Sequence, residues 1–97
     1  MAQATTTKVN ELFTTAETLD KKVVNLANGV KITAELKGMK GEAAEVEALI
    51  NSIRATAQEY RRIYLWSDKY KDEIEAMDLE AVVEEYKAEI KALARRI

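Results

Sequence analysis

The sequence predicts an all-α protein: a three-helix antiparallel bundle with one long central helix, expected to be oligomeric. Three observations carry this. The 97 residues contain no Pro and only three Gly, none of them after Gly41, so the strongest helix breakers are missing from most of the chain. At 47% hydrophobic and 33% charged, the chain holds enough apolar side chains for a packed core and is too apolar for a disordered segment. Its apolar residues also recur in steps of three and four, the spacing of one face of an α-helix. A chain of 97 residues sits at the lower edge of domain sizes, so residues 1–97 form a single helical domain, with a flexible tail at 1–6.

The first helix is expected over Thr7–Asn28. Val9, Leu12, Phe13, Ala16, Leu19, Val23, Leu26, Ala27 and Val30 keep one face apolar, Thr7 has the hydroxyl of an N-cap, and Gly29 can take the left-handed conformation that ends a helix. Residues 29–41 hold all three glycines together with Lys31, Lys37 and Lys40, and read as a glycine- and lysine-rich connection. Asn28-Gly29 also matches a favoured hairpin turn, with Val30, Ile32, Ala34 and Leu36 alternating behind it as a half-buried strand does, against which stand the helical period before it and the marginal stability of a lone two-stranded hairpin. A loop holding a short helical turn over 33–37 is the other reading of the same residues.

The second helix is expected over 42–76. Val46, Leu49, Ile50, Ile53, Ala57, Tyr60 and Tyr64 form one stripe, and Ile63, Trp66, Tyr70, Ile74 and Met77 a second, rotated by about a quarter turn. The two stripes imply a change of partner midway along one long helix, or a break near Ser67–Lys71, where Lys69 and Lys71 suit a helix end and Asp72, Glu73 and Glu75 a new beginning. Asp78 then caps a third helix whose buried face is Leu79, Val82, Val83, Tyr86, Ile90, Leu93 and Ile97. At ~1.5 Å per residue an unbroken second helix spans ~52 Å, more than either neighbour covers. The apolar surface left over predicts a homodimer or higher oligomer.

Function is bounded mostly by exclusion. With no Cys and no His, the chain lacks thiolates, the usual proton carrier near neutral pH and the commonest transition-metal ligand, so catalysis and a metal centre are not expected and no cofactor is assigned. The glutamates Glu84, Glu85 and Glu89 are not followed by the second acidic pair that a Mg²⁺-dependent hydrolase needs. A formal charge of −2 gives no broad field for a phosphate backbone, which disfavours general DNA binding. The start of the chain has neither a basic nor an apolar leader pattern, and no apolar run approaches a membrane span, so a cytoplasmic location is expected.

The richest stretch is 58–71, with Tyr60, Tyr64, Trp66 and Tyr70 among Arg61, Arg62, Lys69 and Lys71. Aromatic rings and guanidinium groups are enriched at interface hot spots, so Arg54, Tyr60, Arg61, Arg62, Tyr64 and Lys69 are the candidate contact residues for a ligand or partner. Phe13, Trp66, Tyr70 and Tyr86 are the expected core or interface aromatics, with Trp66 buried against the third helix. The resulting expectation is a small accessory protein, non-enzymatic and self-associating, that acts on another protein as an adaptor, inhibitor or assembly element. The alternative is a helical oligomer that holds an anionic small ligand such as a nucleotide, with Arg61 and Arg62 on the anion and a tyrosine ring on a base.

Overall fold

The computed structural model describes residues 2–97, all-α with no strand among them. The helical backbone begins at Ala2 and does not stop until Leu36. It comprises α1 (Ala2–Thr18), a π-helical turn (Leu19–Val23) and α2 (Val24–Leu36), and at both junctions the backbone stays in the right-handed helical region. Thr7 is therefore inside a helix and not its cap. The tail expected at 1–6 is helical from Ala2, and Met1 lies outside the described residues.

The connection expected over 29–41 shrinks to residues 37–39, and neither the hairpin nor the looped reading of this stretch holds. Gly29 does not end the helix, because Val24, Ala27 and Ala34 around it are buried and their packing outweighs the ~1 kcal/mol a helical glycine costs relative to alanine. The stop comes at Gly38, whose φ of +73° only glycine takes without strain. Around it, Met39 N–H donates to the Ala34 carbonyl at 2.9 Å and Gly38 N–H to the Glu35 carbonyl at 3.1 Å. This is the paired closure of a Schellman motif.

From that turn α3 (Lys40–Leu65) runs back along α2, the π turn and α1. It buries Ala43, Val46, Ile50, Ile53, Ala57, Tyr60 and Ile63, in steps of three and four. The second helix does not continue to Met77. It ends at Leu65, a turn covers 66–70, and a short α4 (Lys71–Ala76) follows, so the break near Ser67–Lys71 is what forms. The physical reason is Ile74. On a straight continuation its stripe is turned by a quarter turn or more from the first, whereas after the turn α4 packs on α1 and Ile74 has no exposed surface.

Asp78 caps α5 (Leu79–Arg95), accepting a hydrogen bond from Ala81 N–H at 3.2 Å. This helix lies against α1, the π turn, α2 and α3. It buries Leu79 and Ile90 and half-buries Val82, Val83, Tyr86, Leu93 and Ile97 against the same core. The longest helical run is thus the first, not the second. The overhanging half-helix from which oligomerisation was expected does not exist, because α4 and α5 fold back over the first two arms.

Candidate functional site

Arg61 projects from α3 toward the first helical run, where it meets two carboxylates that no local spacing connects to it. Its guanidinium lies 3.0 Å from Glu17 and 3.0 Å from Asp20. Glu17 also pairs with Lys21 at 2.9 Å, one turn further along its own helix. The hydrogen bond from Lys21, and then that from Arg61, holds the Glu17 carboxyl below its ordinary range, while Glu17 and Asp20 push the Arg61 guanidinium up. All three partners are about one-third exposed, so this is a clamp between helices on a partly solvated surface. An anionic ligand at Arg61 has to displace two resident carboxylates.

Arg62 bonds to Glu59 one turn back on α3, and that pair raises its pKa. Arg54 is exposed on the same helix. Lys69 sits in the following turn with its ammonium 5.9 Å from the centre of the Tyr70 ring. The basic residues of the expected anion site are therefore dispersed, and the two arginines at its centre already carry counter-charges. Tyr60 is buried, which pushes its phenol up and withdraws its ring from stacking on a ligand.

The aromatic residues divide into three groups. Tyr86 belongs to the α3–α5 contact, its hydroxyl 2.7 Å from that of Thr56. Tyr70 is half-buried against the core. Trp66, expected in the core, is instead 64% exposed, because the chain leaves helical geometry at this residue and its indole no longer follows the second stripe. Leu65 beside it is 76% exposed and Phe13 is 43% exposed. Phe13 stacks at a tilt on Tyr64 with ring centroids 5.1 Å apart. Phe13 and Tyr64 thus pair where α1 meets α3, while the consecutive Leu65 and Trp66 at the end of α3 face water. Phe13, Tyr64 and Trp66 stood out in the sequence, whereas Leu65 lay on neither apolar stripe and gave no signal there.

Among the described residues no cluster of three or more Asp, Glu, His or Cys is placed to hold a metal, and no described helix is long and apolar enough to cross a membrane. Comparison with protein-family models, with curated proteins and with solved structures gave no match to this chain.

Proposed function

We propose that the chain is a non-enzymatic, self-associating three-helix bundle that acts by protein–protein contact, as an adaptor, inhibitor or assembly element. The observation that carries this reading is the exposure of the consecutive Leu65 and Trp66 at the end of α3, which leaves an indole and an isobutyl side chain mostly in water. Large apolar side chains exposed side by side are characteristic of contact surfaces, and tryptophan is among the residues most enriched at binding hot spots. Arg62, Asp68 and Lys69, all exposed and within four positions of this pair in the chain, bring both signs of charge near it, which suits a protein partner better than a polyanion.

The test is a photo-crosslinking side chain placed at position 66 in cells making the protein, with position 48 on an exposed part of α3 as the control. A discrete adduct of defined mass at 66 and none at 48 is the expected result. Equal, diffuse labelling at both positions overturns the contact-surface reading.

A further inference from the structure

We propose that the groove between α3 and α5 binds a guanidinium group, held by the carboxylates of Glu85 and Glu89 with the Tyr60 hydroxyl at its floor. Neither Leu65 nor Trp66 lines this groove, so the site is separate from the contact surface above. It also takes a ligand of the opposite charge to the anion expected at Arg61 and Arg62.

The groove holds ≈ 600 Å³, within the ~300–1,000 Å³ of small-ligand sites. One wall is α5, on which Val82, Glu85, Tyr86 and Glu89 follow one another at the spacing of a single helical face. The other is α3, which supplies Thr56 and, one turn on, Tyr60. Tyr60 is the first observation. It is only 8% exposed, and its hydroxyl makes no hydrogen bond among the described residues, although a phenol so deeply buried ordinarily finds a partner. No fully enclosed side-chain oxygen or nitrogen among the described residues is left without a partner. The Tyr60 oxygen is therefore the part of this side chain that stays accessible, and the groove it lines is where it is reached. The Tyr86 hydroxyl and the Glu85 carboxylate on the facing wall both act on it, adding to the upward push of burial on its phenol. Tyr86 differs, because its own hydroxyl is engaged with that of Thr56 at 2.7 Å. Tyr60 thus keeps unused hydrogen-bonding capacity directed into the groove.

Charge is the second observation. Glu85 and Glu89 stand one turn apart on α5, both exposed and with no ion-pair partner among the described residues. Like charges at this spacing repel, and no Lys or Arg among the described residues lines the groove to offset them. Glu84, next in the chain but off the groove, has Lys87 at 4.0 Å.

The occupant follows from these acceptors. Two carboxylates with no third acidic group beside them among the described residues give a divalent metal ion too few ligands. Two carboxylates on one wall and a phenol oxygen on the other are spread along the groove and do not converge on a point. A guanidinium is planar and offers five N–H donors, so it meets several such acceptors at once, whereas an ammonium is a compact point charge. Val82 and Ala88 supply apolar surface for the aliphatic stem behind the charged head.

The test is an NMR titration of the full chain with two arginine probes, Nα-acetyl-arginine amide and a capped pentapeptide with arginine between glycines. Both should give saturable shifts at Thr56, Tyr60, Glu85 and Glu89, with a Kd on the order of 1 mM for the single residue. The uncharged isostere Nα-acetyl-citrulline amide should give none. Glu85→Gln combined with Glu89→Gln should weaken binding at least ~10-fold and Tyr60→Phe ~3-fold, with helical circular dichroism retained, while Glu84→Gln should leave it unchanged. A pentapeptide that binds ~10-fold tighter than the single residue points to an arginine on a partner chain, and equal affinities to a free small molecule; either supports the site. No saturable shift in the groove up to about 20 mM of either arginine probe overturns it. So do equal shifts from the citrulline probe or from magnesium chloride, and binding undiminished in the double glutamine variant. Nα-acetyl-lysine amide binding as tightly as the arginine probe overturns the assignment to guanidinium.

Discussion

Ile74 and Trp66 fall on the same helical stripe in the sequence and have opposite environments in the structure. Ile74 has no exposed surface and Trp66 is mostly in water. Ile74→Ala is therefore expected to cost ~2–5 kcal/mol and Trp66→Ala no more than ~1 kcal/mol, both read from denaturant unfolding. The reversal of that order would place the indole in the core. Ionisation adds a second set of expectations. Glu17 and Glu47 are held below their ordinary 4.5, first by hydrogen bonds from Lys21 and Lys31 respectively, so their pairs stabilise the fold fully above pH 4.5 and lose that contribution as pH falls below it. Lys31, raised above 10.5 by its bond to Glu47, and Tyr60, raised above 10.0 by burial, stabilise fully below those values and lose it as pH rises beyond them. The melting temperature should thus fall below pH 4.5 and again above about pH 10, and Glu17→Gln should flatten the acid limb. Of the site, the residue types were legible in the sequence, since Arg61, Tyr64 and Trp66 all stood out. Their partners were not, because Glu17 and Asp20 lie 44 and 41 positions from Arg61 and no local spacing relates them.

Gly29 and Gly38 show what could and could not be read at the level of elements. Both suit a helix end, and a capping signal is local, so nothing near Gly29 reveals that burial of Val24, Ala27 and Ala34 carries the helix past it. Asp78 was legible because an aspartate directly ahead of an apolar helical period caps through its own side chain and needs no distant partner. The turn at 66–70 left only a charge pattern as its sign, having neither Gly nor Pro. Three substitutions separate these cases. Gly38→Ala is expected to destabilise by ~1 kcal/mol because φ is +73° there. Gly29→Ala is expected to stabilise by ~0.4–1 kcal/mol, since a Cβ there meets nothing within 4 Å. Asp78→Ala is expected to cost ~0.5–2 kcal/mol through the lost bond to Ala81. Thermal unfolding by circular dichroism reads all three.

As a whole the molecule is a rod of 52 × 19 × 16 Å with a Cα radius of gyration of 15.5 Å, against ~12.5 Å for a compact chain of this length. The all-α class was legible from composition and periodicity, because helix formers without breakers have few alternatives. Which run would be longest was not, since it depended on whether Gly29 or Gly38 stopped the first. The turn at 37–39 also bears on time. It joins the two longest helical arms through three residues, so their pairing needs little loop closure, and a fold begun by such a local hairpin is expected to form in milliseconds or faster. Ile74, which reaches the core only after α4 has folded back onto α1, belongs to a later event. Stopped-flow kinetics should then show Gly38→Ala mainly slowing refolding and Ile74→Ala mainly speeding unfolding. The residues that set how quickly the chain folds are in this way separate from those that set how long it stays folded.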